Sequence, residues 1–552
     1  MTSTKIKIGI FSKSINTLRP YEIKIFEEII NDKNLELSVL FLDGRKKGQD
    51  NVIKRLIVLF KSRKILARII LKLQELIEKL IFKEKKSNYN SNLFKAINAI
   101  NKVKLYPQQK GYFDIFSDID YEKVKAFNLD LIIRTEFNII RGRILDSSKY
   151  GIWSFHHGDN RVNRGGPPCF WEIIENHQNV GVTLQKLTHV LDGGEVIDRG
   201  SYNIHWSWIR TKQIVYDSSI IVLVKNLNLL KNGKFETKKS PAYNKIIYKF
   251  PKLKYVIVYL SRFYITLLNK LVKRILSFIF GIKYNHWSLV ISSGDFFKSS
   301  IFNLTPIKTP KNEFWADPFL FEKNNVKYIF FENYNYKNGL GKISLGKVSG
   351  NEIVDIKDIL IKDYHLSYPF IYEDENGIFM IPETSANNRL EVYRCDSFPD
   401  TCNLYSTAFE GEKIKDCNIY KDSGNNIWMF LNKKQNASDD CSDLYIYSMD
   451  SLRLNKIQPH KLNPVITDAS KARNAGSIFL YKNKAYRPSQ INIDGVYGRG
   501  LNINRINKLT LDEFDEELYD QYLPNKENDF IGLHHVDIKK DIFVFDICKK
   551  KI

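Results

Sequence analysis

Along residues 5–43 the apolar positions change period twice. KIKIGIF alternates as a strand does, PYEIKIFEEIIND spaces its apolar residues three and four apart, and LELSVLFLD returns to a strand. Strand, helix, strand predicts a parallel sheet with crossover helices. After a basic stretch over 52–90 the pattern resumes with IDYEKVKAFN as a helix, LDLIIRTE as a continuous apolar strand and GIWSFHHGD as another. A continuous apolar strand is buried on both faces, as in an α/β sheet. PPCFWEIIENHQ predicts a helix with its prolines in the first turn, and GVTLQKLTHVLDGGEVIDRGSYNI two strands around a glycine turn. The pattern predicts an α/β Rossmann-like domain over 1–240, with 52–90 as a basic helical insertion.

Beyond about 286 the chain turns to short aromatic strands with an imperfect repeat. FWADPFLFEKNNVKYIFFENY, LSYPFIYEDENGIFMIPETS, KDCNIYKDSGNNIWMFLNKK, RNAGSIFLYKNKAYRPSQIN and LHHVDIKKDIFVFDICKKK each place a polar turn between two strands. Five units predict an all-β five-bladed propeller over 286–552, with WSLVISSG completing the last blade. Residues 241–285 are expected to link the two domains as a basic amphipathic helix. The apolar stretches at 52–83 and 252–283 are broken by Lys or Arg every few residues, so neither is expected to span a membrane. Both suit a helix lying in a membrane interface, or one packed on its own domain.

The formal charge of +22 suggests an anionic partner: a phosphorylated substrate, nucleic acid or an acidic membrane face. The six cysteines contain no CxxC pair, so no disulfide framework is expected, and no metal-ligand spacing is found. The start lacks an apolar signal core. These features predict a cytoplasmic protein, with peripheral contact at the inner membrane face through the basic helices.

The densest chemistry lies in SFHHGDNRVNRGG, residues 154–166. Here Ser154, His156 and His157 close a buried strand, and ligands bind at the carboxyl ends of strands in open parallel sheets. Alternation aims only one of the two imidazoles into such a site. Asp192, in VLDGGEV, also follows a strand, and His with Asp makes a candidate acid–base pair. Ser154-Phe155-His156, then Arg164-Gly165, then Leu191-Asp192-Gly193-Gly194 resemble in register the folate-dependent formyltransferase family, which includes methionyl-tRNA and sugar N-formyltransferases. The resemblance covers about residues 5–205. It implies N10-formyltetrahydrofolate as donor, with His156 supporting the tetrahedral oxyanion and Asp192 orienting the histidine and relaying a proton. It also implies a pterin pocket lined by the backbone at Phe137, Ile139 and Ile140, with Gly194 in the aspartate turn. The family has asparagine where this chain has Ser154. Losing an oxyanion donor costs other enzymes about 10²–10³ in rate. Ser154 is thus a shorter candidate donor, with His157 as another, and Arg161 and Arg164 suit a substrate phosphate.

In the β region Asp317, Glu383, Asp416, Arg473 and His534 are expected to converge on a central channel and bind glycan, with Trp315 and Tyr368 as stacking faces. This part resembles five-bladed propellers of glycan-processing proteins. The leading expectation is formyl transfer to an amino sugar, nucleotide- or lipid-linked, in surface polysaccharide synthesis. The alternatives are a catalytically degenerate glycan-binding scaffold, a methionyl-tRNA formyltransferase and a glycoside hydrolase acting through paired carboxylates. Nucleic acid is not the expected partner, because a propeller stands where the tRNA enzyme has its own C-terminal barrel.

Overall fold

The structure, a computed structural model, describes residues 5–15, 18–45, 64–82, 91–189, 194–238, 246–434, 439, 442–525 and 529–551. The chain divides into two compact units, Met1–Ile265 and Thr266–Ile552. The division falls inside the helix Leu253–Phe280.

The first unit holds β1 (Ile6–Ser12), α1 (Pro20–Asn31), β2 (Leu35–Asp43), α2 (Lys64–Ile81), α3 (Ser91–Ala99), β3 (Asn101–Leu105), β4 (Gln108–Lys110), β5 (Phe113–Ile115) and α4 (Asp118–Lys125). Then come β6 (Leu131–Arg134), β7 (Ile139–Arg141), β8 (Ile152–His156), β9 (Arg164–Gly165), α5 (Phe170–Ile174), β10 (Asn179–Lys186) and β11 (Glu195–Asn203). The unit continues through α6 (Trp208–Lys231) and β12 (Ile247–Tyr248) into α7 (Leu253–Phe280).

Seven strands form one sheet in the order β11-β10-β8-β6-β1-β2-β3. Neighbours from β8 to β3 are parallel, whereas β10 pairs antiparallel with β8 and with β11. Leu131, Ile132 and Ile133 are buried, as the continuous apolar run of β6 required. One face packs Ile8, Phe26, Trp153 and Leu184 with Val222 of α6. The other packs Phe11, Phe41, Ile132, Phe137 and Ile152. Because β2 and β6 flank β1 on opposite sides, the chain reverses direction across the sheet there. That places a switch-point crevice beyond Ser12, Arg134 and His156.

Two elements differ from the sequence pattern. The helix expected from Pro167 onward is only the short α5, since Cys169 at its N-cap adopts φ +65° and Asn176 just beyond it φ +54°. The prolines precede the helix rather than opening it. The insertion yields α2, while 46–63 and 83–90 lie outside the described residues.

The second unit consists of five antiparallel sheets. Four are successive along the chain, beginning with Glu313–Lys323, Ser367–Asp374, Ile414–Lys421 and Phe479–Tyr481. In the fifth, Tyr284–Ser293 pairs with Ile542–Lys551, so the unit's first strand joins its last, as WSLVISSG suggested. Three first strands carry the same register shift, between Ala316 and Phe319, Ser367 and Phe370, and Lys415 and Asn418. At each shift a non-glycine residue has positive φ: Asp317 +50°, Tyr368 +47°, Asp416 +45°. A bulge re-aims a side chain. Cys395 and Cys402 form a disulfide across one hairpin. The expectation that the cysteines build no framework therefore stands beside one bridge, and bridges persist in oxidising compartments.

Candidate functional site

At the switch point of the first unit, Ser154 and His156 point to one face of β8 and His157 to the other, as alternation demands. Ser154 is buried and accepts a hydrogen bond of 2.7 Å from Arg134 Nη1, whose Nη2 donates to the Phe137 carbonyl at 3.0 Å. Arg134 is the register partner of Ser154 across β6 and β8. The guanidinium thus sits where the sequence left the missing amide unaccounted for. Sequence reasoning overlooked it because an arginine ending an apolar strand looks like a solvated strand end.

His156 Nε2 lies 2.8 Å from the Asn163 carbonyl. A carbonyl only accepts, so Nε2 carries a proton, and in the neutral ring the lone pair is on Nδ1. The 158–163 turn that holds the ring is itself anchored, because Thr183 Oγ1 donates to the Gly158 carbonyl at 3.0 Å. Gly181 lets the turn lie flat on β10, since a Cβ there would meet Asp159 N at 2.7 Å. His157, by contrast, is ringed by Tyr21, Phe155 and Tyr216. Burial first, and then Arg19 and His156, push its pKa well below the ordinary imidazole value, so it is neutral. It does not share the Ser154 and His156 face, which corrects its expected part as a substrate contact or substitute donor.

The Phe137 and Ile140 side chains are buried in the apolar core, Phe137 against Phe11 and Phe116, and Ile139 is half-buried. Phe137 and Ile140 can therefore meet a ligand only through their backbone. The three-stranded sheet β4-β5-β7 leaves β7 at its edge, so backbone groups of this segment face away from the sheet. Gln185 opposes Ser154 in register, and its Oε1 is buried without a partner, as is Ser12 Oγ. Buried polar atoms are normally paired, so these suit a polar ligand. A Cβ on Gly194 would meet the Lys186 carbonyl at 2.4 Å and approach Gln185 Oε1. Asp192 lies outside the described residues. Arg161 is exposed and pairs with Asp159 at 2.6 Å. Arg164 is buried where β9 pairs with β12. Neither contact brings these two arginines to His156.

In the second unit the five expected polar residues meet. Arg473 pairs with Asp416 and, at 3.5 Å, with Glu383, which also pairs with Lys415 at 3.1 Å. His534 lies 2.7 Å from Asp546 and 3.5 Å from Asp317. Asp546 accepts hydrogen bonds from the backbone of Asp317, His534 and His535. Burial raises the Asp317 and Asp416 carboxyls above their ordinary range despite the nearby His534 and Arg473. Burial also works to raise Glu383, but Lys415 and Arg473 outweigh it and hold the carboxyl low. Asp317, His534 and Asp546 offer ligand atoms within 4.8 Å of one another, the set among the described residues that could hold a cation.

Trp315 and Tyr368 are not stacking faces. Trp315 packs on Phe331, and Tyr368 is fully buried with its hydroxyl donating to Asn418. The sequence missed Tyr497, 43% exposed, with the Arg473 guanidinium 5.0 Å from its ring. It missed Trp287 stacked on His534 at 3.9 Å, and the buried carboxylates Glu332 and Asp546. None of these belongs to the repeated polar turns that drew attention to the rest.

A switch-point site on an α/β sheet and a buried charged centre in an all-β unit define a chain with two candidate sites. The family model described as "Glucosamine inositolphosphorylceramide transferase 1, N-terminal" matches residues 300–540. Glucosamine inositolphosphorylceramide transferase 1 from Oryza sativa subsp. japonica is 31% identical over 243 residues, 42% of this chain and 32% of the relative. Methionyl-tRNA formyltransferase from Bacillus cereus (strain B4264) is 30% identical over 122 residues, 21% of this chain and 38% of the relative. The chain spans about a third of the length of the curated relatives it matches. Among solved structures, the N-formyltransferase from Helicobacter canadensis, in complex with folinic acid and dTDP-3-aminofucose, is 14% identical with a TM-score of 0.29. That match covers 62% of this chain and all of the other. Such a TM-score does not carry the fold. The sequence likeness and the sheet order support a formyltransferase-like, Rossmann-type fold for the N-terminal unit.

Proposed function

We propose that the chain transfers a formyl group from N10-formyltetrahydrofolate to the amine of an amino sugar, nucleotide- or lipid-linked. The observation that carries this reading is the Arg134–Ser154 pair beside a tethered His156 at the switch point. The donor, when bound, supplies an activated formyl carbon. The edge backbone of β7 and the orphaned Gln185 Oε1 are the groups suited to hold its pterin. With Nε2 committed to Asn163, His156 Nδ1 is placed to accept the proton of the attacking amine and return it to the tetrahydrofolate nitrogen as the formyl C–N bond breaks, so the histidine serves as a base and then an acid rather than as a neutral oxyanion donor. Charge on the carbonyl oxygen falls to Arg134 and the Ser154 hydroxyl, donors held in place before the reaction begins. Asp192 keeps the orienting part that its motif implies. The five-sheet unit, proposed here as a five-bladed propeller, grips the sugar through Tyr497, Trp287 and the Arg473 centre. The name of its glucosamine-transferring relative agrees with an amino-sugar ligand.

The test is incubation of the full chain with N10-formyltetrahydrofolate and a panel of nucleotide amino sugars, followed by mass spectrometry of the sugar. Formylated product, absent with Asp192→Asn and with His156→Ala, supports the reading. No product from any acceptor, together with no folate binding by calorimetry, overturns it. A second reading, a glycan-binding scaffold, is favoured by the mutual engagement of Asp416, Glu383 and Arg473, which ties these two carboxylates to one guanidinium. Glycan retention without formyl transfer would select it, and sugar release that depends on Asp317 would select a hydrolase instead.

A further inference from the structure

Helix α2 carries two stripes, the second of them apolar. Ala67, Leu71, Gln74 and Glu78 form the buried one. Leu66, Ile69, Leu73, Leu76 and Leu80 form another at spacings of three and four, and every one is more than half exposed. Helix α7 repeats the arrangement. Val256, Tyr259 and Phe263 are buried, while Ile257, Leu268, Leu271, Ile275 and Phe278 form an exposed stripe beside them, with Phe278 91% exposed. The two helices are joined along their buried sides. Tyr259 donates to Glu78 at 2.5 Å, and Tyr264 donates to Gln74 at 3.0 Å.

An exposed apolar face of this size on a folded protein marks an interaction site, and charge selects its occupant. Helix α7 contains Lys254, Arg262, Lys270, Lys273 and Arg274 and no acidic residue, and Arg68, Lys72 and Lys79 flank the stripe of α2. Docking two copies through this face would oppose cation to cation. At 28 residues α7 is about 42 Å long, yet no described helix is long and apolar enough to cross a membrane. Apolar residues on one face with basic residues beside them suit a helix lying in the headgroup layer.

We propose that the exposed faces of α2 and α7 dock on a bilayer surface rich in anionic lipid. The inference does not depend on formyl transfer, since it is read without any substrate. The test is sedimentation of the full chain with vesicles of phosphatidylcholine alone or mixed with phosphatidylglycerol. Binding at least tenfold stronger to the mixed vesicles, reduced by salt, is the expected result. Leu271→Glu with Phe278→Glu should lower it at least tenfold while leaving thermal unfolding unchanged, because both positions face solvent. Equal or absent binding to the two vesicle types overturns the proposal. So does binding that survives the double substitution, or a dimer in light scattering that the same substitution dissolves.

Discussion

Arg134 ends β6 and touches Ser154, where the chain departs from the asparagine of the motif it resembles. A guanidinium there holds the Ser154 hydroxyl and the Phe137 carbonyl at once through two nitrogens in one plane, which an ammonium cannot do. Arg134→Lys is therefore expected to lower kcat for formyl transfer by about 10²-fold, the range for losing one oxyanion donor, with KM for the sugar little changed. Steady-state kinetics with a matched unfolding curve checks it, and a proportional loss of stability would assign Arg134 a structural part only. Ser154 and His156 were legible in the sequence because strand alternation and motif spacing are both local. Arg134 and Gln185 were not, since their relation to Ser154 exists only through the pairing of β6 and β10 with β8. The same holds for Asp546, which the repeat hid and four hydrogen-bond or ion-pair contacts reveal. Asp546→Asn leaves a buried imidazole without its anion, and a loss of about 3–5 kcal/mol is expected in denaturant unfolding.

Periodicity placed α1, β1, β2, β6, β8, α7 and the hairpins of the second unit close to where they are found. It passed over α6 altogether and overextended α5, where Cys169 and Asn176 take left-handed conformations that no apolar spacing foretells. It also could not show what binds α2 and α7 to the sheet. That tether is Glu78, buried at the meeting of three elements. It accepts from Tyr259 of α7, and from the Ser207 hydroxyl and the Ile209 amide at the start of α6. Capping the positive end of a helix with a carboxylate is favourable in itself. Glu78→Leu would leave these donors buried and unmet, at about 1–3 kcal/mol each. Limited proteolysis should then cut within 64–82 or 246–280 well before the rest of the chain, whereas Glu78→Gln, which keeps an acceptor, should cut more slowly. Equal cleavage of Glu78→Leu and the unaltered chain would show that other contacts hold the helices.

The second unit gathers more ionisable groups into its centre than its core can keep charged, and this gives the molecule a pH dependence of definite sign. Burial raises Asp317, Asp416 and Glu332. His534 is raised too, because Asp546 and Asp317 outweigh the burial that would lower it. Each of these holds its proton more tightly folded than unfolded. Its stabilisation is complete below the unfolded value, 3.8 for the aspartates, 4.5 for the glutamate and 6.5 for the histidine, and is lost as pH rises through the folded value. Glu383 and Asp546 are held low, so their stabilisation is present above 4.5 and 3.8 and is lost only in acid. The two sets together place maximal stability of this unit at about pH 4, where the unfolded values of both lie, with a decline toward about pH 8 of up to about 1.4 kcal/mol per pH unit for each proton retained. Calorimetry of the full chain across this range should show one transition moving down in temperature as pH rises. Asp317→Asn should flatten the slope, because the amide has no proton to lose. A transition that rises with pH, or one whose slope survives that substitution, would mean that the centre is solvated enough to carry its charges freely.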